Sequence, residues 1–294
     1  MIETIRAGAL DVAFLDVGPP SGTPVVLLHG FPYDVWAYDE VMSLLAEEGC
    51  RAIVPYLRGF GPTRFASAQT MRSGQQAVLA SDLVALLDAL ELPAAILAGY
   101  DWGGRAACIV SALWPKRSLG LVTGNGYNIQ DIPRSNEPIH PFDEWKYWYQ
   151  YYFHGERGRL GLSANRRELC RMLWRMWSPE WEFSEAIYDR TAASFDNPDF
   201  VDVVVHSYRH RFGLVAGDPA AASIEARLEV QPPIAVRAVI LDGGSDGVEP
   251  TSSFDRDAGH FTCGVERHLI AGVGHNIAQE APRLFADAVL RLLG

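Results

Sequence analysis

Residues 97–105, which read LAGYDWGGR, contain the side chains best placed to do chemistry. An apolar run leads into them and predicts a buried strand, and residues 106–113 after them predict a helix. Asp101 lies between Gly99 and Gly103, and a sharp turn from strand to helix requires small residues two positions before and two after its apex. The spacing therefore predicts a nucleophile elbow, in which a strained backbone presents the Asp101 side chain.

A carboxylate at this apex implies a different reaction from that of the serine such turns usually carry. A carboxylate needs no base to deprotonate it, so it attacks carbon directly and forms an ester. Opening of a C–O or C–halogen bond fits that reactivity better than ordinary ester hydrolysis does. The ester must then be hydrolysed by water, and that second step needs a general base that works near neutral pH.

His275 is the best candidate for that base among the eight histidines of the chain. It ends a Gly-Val-Gly-His loop between the last predicted strand and the last predicted helix, and imidazole titrates in the right range. Asp246, beyond a Gly-Gly turn after the preceding strand, is the predicted acid that orients His275. Asp242 and Glu249 are weaker candidates for that role, and a mere turn former is the alternative reading of Asp246.

Negative charge on the ester oxygen needs hydrogen-bond donors when water attacks. A strand-like run, residues 24–28, leads directly into the tetrapeptide HGFP, residues 29–32, and this pattern is typical of a loop whose backbone N–H faces such a site. We therefore expect the backbone N–H groups of Phe31 and Trp102 to stabilise the charge, each by ~3–4 kcal/mol. His29 itself is expected to shape the loop.

The elements that position these residues alternate between strand and helix along the first part of the chain. This alternation predicts an α/β fold with a mostly parallel central sheet flanked by helices. It stops over residues 133–228, which are rich in Trp, Tyr, Phe and Arg, and then resumes. The sequence thus predicts a core domain, residues 1–132 and 229–294, and an inserted helical cap, residues 133–228. The predicted strands are 10–17, 24–28, 51–55, 95–97, 119–123, 234–241 and 266–270, and the last predicted helix is 279–293.

Composition restricts the classes of protein and partner. A net charge of −11 over 294 residues argues against nucleic acid or an anionic membrane surface as partner. The N-terminal residues lack the pattern of a signal peptide, and no apolar run approaches the ~18 residues of a membrane span, so a cytoplasmic protein is expected. The four cysteines show no metal-ligand spacing, so we expect buried, reduced thiols and no metal site.

Five motifs span nearly the whole chain: HGFP (29–32), LRGFG (57–61), GYDWGG (99–104), GGSDGVEP (243–250) and GVGHN (272–276). Together they resemble the epoxide hydrolases of the α/β-hydrolase superfamily. The resemblance implies an α/β-hydrolase fold and hydrolysis of an epoxide to a vicinal diol through a covalent aspartyl ester. It further implies a small, largely apolar epoxide as substrate, without cofactor or metal. A homodimer is a candidate assembly, but the sequence does not give the oligomeric state.

In epoxide hydrolases two cap tyrosines donate hydrogen bonds to the epoxide oxygen, and the resemblance places them at Tyr149 and Tyr208. Tyr149 lies in a stretch similar to theirs that ends at Phe153, and Tyr208 directly precedes Arg209, as the second tyrosine precedes an arginine. Phenol donors suit the reaction, because ring opening at neutral pH leaves an alkoxide. The alternative is core packing, since each tyrosine also falls on an aromatic helix face.

Dehalogenases that use the same aspartyl ester are the main alternative. Haloalkane dehalogenases share the Asp-Trp elbow but often carry a halide-binding Asn where this chain has Phe31, although Trp102 and a cap tryptophan could hold a halide. Fluoroacetate dehalogenases carry Arg where this chain has Trp102, but Arg105 matches their second arginine, so a haloacid is a further candidate. A non-catalytic member of the fold that binds small molecules is a third class.

Two residues depart from the epoxide-hydrolase pattern. Tyr100 stands before the nucleophile where His is usual, and Asn276 follows the base where Trp is common. The arginine-rich stretch 166–175 in the predicted cap matches no motif. These features bear on the substrate more than on the mechanism.

Overall fold

The computed structural model describes residues 1–249 and 257–293, and a nine-stranded sheet runs through its centre. The strands are β1 (Ile2–Ala7), β2 (Leu10–Val17), β3 (Pro24–Leu28), β4 (Arg51–Pro55), β5 (Arg64–Phe65), β6 (Ala95–Gly99), β7 (Ser118–Gly124), β8 (Ala238–Gly243) and β9 (Val265–Ile270). The helices are α1 (Asp39–Glu47), α2 (Gln76–Ala89), α3 (Asp101–Leu113), α4 (Pro141–Lys146), α5 (Trp148–His154), α6 (Glu156–Trp177), α7 (Glu185–Ala192), α8 (Phe200–Arg211), α9 (Ala222–Leu228), α10 (Ile277–Glu280) and α11 (Pro282–Leu290).

The sheet has the order β1-β2-β4-β3-β6-β7-β8-β9, with the short β5 paired to β2. Every pair from β4 to β9 along this order is parallel, whereas β1, β4 and β5 run antiparallel to β2. The central strands β3 and β6 are almost entirely buried beneath the flanking helices, which is why they read as short apolar runs. The predicted α/β class with a mostly parallel sheet is confirmed, and the carboxyl ends of the parallel strands lie along one edge.

Most predicted strands agree with the structure to within two residues, but two elements differ. The predicted strand 234–241 begins only at Ala238, and Ile234 forms just an isolated bridge. The predicted helix 279–293 is two short helices, α10 and α11, because Pro282 has no N–H with which to continue α10 and instead begins α11. The N-terminal residues, where the sequence predicts no element, pair with β2 as strand β1. Pro250, the last residue of the GGSDGVEP motif, lies outside the described residues.

Between β7 and β8 every regular element that the structure describes is helical, from α4 to α9. This explains why the strand–helix alternation stops there, while the boundaries of a separate cap, residues 133–228, stay a prediction. Arginines of the stretch 166–175 form ion pairs on this insertion, such as Arg171 with Glu185 of α7 (3.1 Å). Partly exposed pairs of this kind contribute little stability.

The expectation of four buried cysteines is wrong at one position. Cys50, Cys108 and Cys170 are buried, whereas Cys263 is exposed. Cys263 directly precedes Gly264, whose φ of +62° marks a turn into β9 at the protein surface. Among residues 1–249 and 257–293, no helix is long and apolar enough to cross a bilayer.

The turn from β6 into α3 holds the backbone of Asp101 in a left-handed conformation, with φ of +50°. A Cβ on Gly103 would lie 2.0 Å from the carbonyl oxygen of Leu28 on β3, and one on Gly99 would lie 2.6 Å from the backbone of Gly103. Gly30 is similarly constrained, since a Cβ there would lie 2.5 Å from Asp101 Cβ. These close approaches explain the glycines of the motif, and the predicted strained turn is confirmed.

Replacing Gly103 with alanine is expected to destabilise the protein by at least about 2 kcal/mol, because α3 would have to move away from β3. The free energy of unfolding, from denaturant titration, measures this loss. Gly259→Ala is the matched control, because a Cβ at that position meets nothing within 4 Å. Equal unfolding free energies for the two variants would contradict the close packing of the elbow.

Candidate active site

The two oxygens of the Asp101 carboxylate have different surroundings. Oδ1 accepts a hydrogen bond from the backbone N–H of Phe31 (2.8 Å). Oδ2 lies 3.9 Å from Nε2 of His275 and 3.7 Å from Nη2 of Arg105. Among the described residues, the second predicted donor, the backbone N–H of Trp102, makes no hydrogen bond to this carboxylate. One oxygen is thus held by the loop after β3, and the other faces the imidazole and the guanidinium.

Asp246 orients His275 from the loop that follows β8. Its Oδ2 accepts from Nδ1 of His275 (2.8 Å) and from Nδ2 of Asn125 (2.8 Å). Its Oδ1 accepts from two backbone N–H groups of the following turn (2.8 and 2.9 Å). Because the Asp246 carboxylate accepts a hydrogen bond from Nδ1, the imidazole carries a proton on Nδ1, and its Nε2 faces Asp101.

Two opposing effects set the pKa of His275. Burial lowers it, but the negative charges of Asp246, Asp101 and Glu249 and the hydrogen bond to Asp246 outweigh burial, and the pKa is raised from 6.5 to about 9. His275 is therefore protonated at neutral pH in the resting site. A reaction that neutralises Asp101 removes one of these attractions and lowers the pKa of the imidazole.

Glu280 holds the loop that carries His275. Its carboxylate accepts from the N–H groups of Gly274 (2.7 Å) and Asn276 (3.0 Å) and from the hydroxyl of Ser178 (2.6 Å). The Ser178 hydroxyl in turn accepts from the N–H of His275 (3.2 Å). Since Ser178 directly follows α6, the loop of the imidazole is bound to the inserted helices as well as to the core.

Two buried side chains join the remaining loops of the site. His29 accepts from the N–H of Leu57 (3.1 Å) and thereby binds the loop after β3 to the loop after β4, and burial lowers the pKa of His29 to about 4. The Tyr100 hydroxyl donates to Oδ1 of Asn276 (2.8 Å), and both residues are fully buried. Tyr100 and Asn276 are the two departures from the epoxide-hydrolase pattern, and their contact joins the elbow to the loop that carries His275.

The two predicted tyrosines, Tyr149 of α5 and Tyr208 of α8, have ring centroids 5.3 Å apart. The Tyr208 ring lies 5.6 Å from the Phe31 ring and 6.2 Å from the Trp102 ring. Its hydroxyl is buried without a hydrogen-bond partner in the described part of the chain, whereas the Tyr149 hydroxyl accepts from Gln150 (3.1 Å). Burial raises the pKa of both phenols, so both remain protonated donors at neutral pH.

A cavity of about 250 Å³ lies beside the carboxylate and is lined from both the core and the inserted helices. Asp101 and His275 line it together with Tyr149, and so do three arginines, Arg105, Arg134 and Arg211. Tyr208 does not line this cavity directly and reaches the site through its contacts with the neighbouring rings. The volume suits a small organic molecule.

The structure brings the predicted site residues to one place, and sequence reasoning omits three that support them. Asn125 follows β7, and its position after a parallel strand was a usable signal because functional residues concentrate at that edge of a sheet. Glu280 belongs to no motif, although it lies only four to six residues beyond the N–H groups that it binds. Arg211 is placed here only by the packing of α8. Asp242, the alternative acid, is instead bound to Arg267 of β9 (2.6 Å). The predicted residues are Asp101, Asp246, His275, Tyr149, Tyr208, Phe31 and Trp102.

The fold and the elbow define a class of protein. Residues 23–282 match the model of the α/β hydrolase fold family, and the chain belongs to that family. A protein from Klebsiella pneumoniae subsp. pneumoniae that bears a provisional assignment as an epoxide hydrolase is 43% identical. Its crystal structure superimposes with a TM-score of 0.97, and the match covers 99% of this chain and 96% of that one.

Curated relatives of two reaction classes match shorter stretches. Epoxide hydrolase 3 of Siraitia grosvenorii is 35% identical over 141 residues, which are 48% of this chain and 42% of that protein. A haloalkane dehalogenase of Psychrobacter cryohalolentis is 33% identical over 125 residues, which are 42% of this chain and 41% of that protein. The chain thus matches less than half the length of each of these relatives, and it resembles both epoxide hydrolases and haloalkane dehalogenases.

Replacing Asp246 with asparagine is expected to lower the pKa of His275 well below about 9, because the charge nearest the imidazole is lost while burial remains. Titration of the His275 imidazole resonances by NMR measures the change. Glu137→Gln is the control, since it removes an exposed carboxylate at the same cavity and is expected to leave the pKa of His275 in place. An unchanged pKa in Asp246→Asn would show that Asp246 does not set the charge of the imidazole.

Proposed function

We propose that the protein hydrolyses an epoxide to a vicinal diol through a covalent ester on Asp101. The observation that carries this proposal is the asymmetry of the Asp101 carboxylate. Oδ1 is bound by the N–H of Phe31, whereas Oδ2 faces the imidazole that Asp246 orients. Such an arrangement suits a nucleophile whose ester is later attacked by water.

In the first step Oδ2 attacks one epoxide carbon, and the C–O bond of the ring breaks with its electron pair passing to the ring oxygen. The hydroxyls of Tyr149 and Tyr208 donate hydrogen bonds to that oxygen as its charge develops. Burial raises the pKa of each phenol, which keeps both donors protonated before the reaction. The Tyr208 hydroxyl has no hydrogen-bond partner in the described chain. In this proposal the substrate extends from the cavity past the Tyr149 ring, which lies 5.3 Å from the Tyr208 ring, to reach this hydroxyl.

In the second step water attacks Cγ of the ester, and His275 accepts the proton of that water. Ester formation has by then removed the charge of Asp101, so the pKa of His275 is lower than in the resting site. When the ester forms, the imidazole releases the proton that it carries in the resting site. The ring oxygen takes up one proton to become a hydroxyl, so the first step balances. The new oxyanion forms on Oδ1, where the Phe31 N–H stabilises it. Collapse of the tetrahedral intermediate breaks the Cγ–Oδ2 bond, and the leaving oxygen takes the proton of the hydroxyl that water added to Cγ. This frees the diol and restores the Asp101 carboxylate.

The helices inserted between β7 and β8 serve in this proposal as a cap. They supply Tyr149 and Tyr208, and Trp177 at the end of α6 has its ring centroid 5.2 Å from that of His275. An aromatic cover of this kind excludes bulk water and strengthens the electrostatic interactions beneath it.

Haloalkane dehalogenation is the second candidate, and one observation favours it. The indole N–H groups of Trp102 and Trp177 are both buried without a hydrogen-bond partner in the described chain. The Trp102 ring stacks on the Phe31 ring with a centroid distance of 5.8 Å, and the Trp177 ring meets it edge to face at 6.3 Å. Two such donors suit a departing halide, which accepts hydrogen bonds but takes up no proton.

Incubation of the purified protein with styrene oxide and, separately, with a panel of haloalkanes distinguishes these reactions. We expect diol from the epoxide, and we expect Tyr149→Phe and Tyr208→Phe each to slow its formation by about a hundredfold or more. Tyr151→Phe is the matched control, because Tyr151 lies on the same helix as Tyr149 but is exposed.

Halide release without diol would instead establish the dehalogenase reaction. Binding of both kinds of molecule with turnover of neither would favour a non-catalytic member of the fold. Full diol formation in both phenylalanine variants would contradict the role of the tyrosines.

A further inference from the structure

The end of α6 contacts both loops of the acid–base pair. The backbone carbonyl of Trp177 accepts a hydrogen bond from the N–H of Gly247 (3.0 Å), the residue directly after Asp246. The same carbonyl accepts from the N–H of His275 (3.1 Å). Trp177 and Ser178 are each only 1% exposed. These hydrogen bonds therefore lie in the protein interior, where they are stronger than in water.

Two glycines make this close approach possible. A Cβ on Gly247 would lie 1.9 Å from the carbonyl oxygen of Met176, and one on Gly274 would lie 2.4 Å from Cα of Ser178. The first glycine directly follows the acid, and the second directly precedes the imidazole. The end of α6 thus packs against the backbone of each loop beside the residue that takes part in the chemistry.

The Ser178 hydroxyl joins this contact to α10. It accepts from the N–H of His275 (3.2 Å), which it shares with the Trp177 carbonyl, and it donates to Oε1 of Glu280 (2.6 Å). Glu280 accepts in turn from the N–H groups on either side of His275. The hydroxyl is thus both acceptor and donor, and its removal would leave buried polar groups without a partner.

The two loops also bind each other and the chain that follows α6. The N–H of Ser245 donates to the carbonyl of Val273 (2.8 Å), and the Ser245 hydroxyl donates to Oε1 of Glu180 (2.5 Å). The hydrogen bond from His275 to Asp246 (2.8 Å) therefore joins two loops that are both bound to the end of the inserted helix.

We propose that Trp177 and Ser178 are positioning residues that hold the acid and the imidazole together, so that the base is assembled only while the end of α6 is seated on the core. For the reaction, this inference rests on the proposed ester at Asp101. Groups that carry out such chemistry must be held to within about 0.5 Å by the residues around them. A loop freed from α6 would therefore slow the attack of water on the ester, whereas formation of the ester depends on the elbow.

Replacing Ser178 with alanine tests this role without any substrate. Burial lowers the pKa of His275, but the charge of Asp246 and the hydrogen bond to it raise the pKa to about 9. A loosened loop weakens that hydrogen bond while burial remains, so we expect the pKa of His275 to fall in Ser178→Ala. NMR titration of the imidazole measures the pKa, and the resonance of the Nδ1 proton reports the hydrogen bond. The charged groups that face the imidazole are Asp101, Asp246, Glu249 and Glu280.

Ser194→Ala is the matched control, because Ser194 is a buried serine of the same insertion whose hydroxyl has no hydrogen-bond partner in the described chain. It is expected to leave the pKa and the Nδ1 proton of His275 in place. Glu280→Gln alters the same contact as Ser178→Ala, so we expect the effects of these two substitutions to be non-additive in the double variant. Thermal unfolding shows that each variant is folded.

An unchanged pKa and Nδ1 proton in Ser178→Ala would overturn the inference. An equal change in Ser194→Ala would overturn it as well, since loss of any buried hydroxyl would then have the same effect.

A single turnover of styrene oxide separates the two steps of the reaction. Mass spectrometry of the intact protein after rapid quenching follows the ester on Asp101. In Ser178→Ala we expect hydrolysis of the ester to slow at least about tenfold, while its formation changes little, so that the ester accumulates. Equal slowing of both steps would overturn the inference, because a general loss of structure would explain it. No ester and no diol in the wild type would refute the proposed function, and the NMR titration would still decide whether Ser178 positions His275.

Discussion

The left-handed turn at Asp101 is the constraint on which the rest of the site depends. It exists because α3 begins directly after β6 and packs through Gly103 against the backbone of β3. The same close packing brings the loop after β3 within hydrogen-bond distance of the carboxylate, so the strain of the turn and the Phe31 contact arise together. A side chain at either glycine of the elbow would separate the two loops and leave the carboxylate without its donor.

Charge balance around that carboxylate connects the fold to the proposed chemistry. His275 and Arg105 both approach Oδ2, while Asp246 holds the imidazole from the opposite side. The pKa of about 9 at His275 therefore belongs to a resting site in which Asp101 is charged. Once an ester forms, the pKa of the imidazole falls, so the imidazole loses its proton and can accept one from water, and Arg105 loses its contact with a charged carboxylate. In the proposed reaction, one change of charge thus prepares the second step.

Local patterns predicted the fold and the main site residues because both depend on short stretches of the chain. The elbow, the loop after β3 and the loop before α10 each combine glycine with a functional residue within a few positions, and parallel strands then bring such loops to one edge. The position of Asp246 followed from the same reasoning, and the structure places it on His275 (2.8 Å). Local signals were less reliable at the chain's periphery, where Pro282 divides a predicted helix and Cys263 turns outward.

Contacts between distant elements were beyond local patterns. Ser178, which follows α6, binds both Glu280 and the N–H of His275. Tyr100 pairs with Asn276 although the two positions are far apart in sequence. Arg211 lines the same cavity as Arg105 because α8 packs over the elbow, where the Tyr208 ring lies 6.2 Å from the Trp102 ring. Such contacts depend on how the inserted helices sit on the core, which no spacing within one segment reports.

Transfer of oxygen from water to Asp101 tests the central claim most directly. In a single turnover in heavy-oxygen water, with enzyme in excess of styrene oxide, mass spectrometry of the peptide that contains Asp101 reports where the label goes. A covalent ester opened by water at Cγ predicts heavy oxygen in the Asp101 carboxylate and an unlabelled diol. Heavy oxygen in the diol together with an unlabelled Asp101 would mean that water attacks the epoxide directly, and it would contradict the proposed ester.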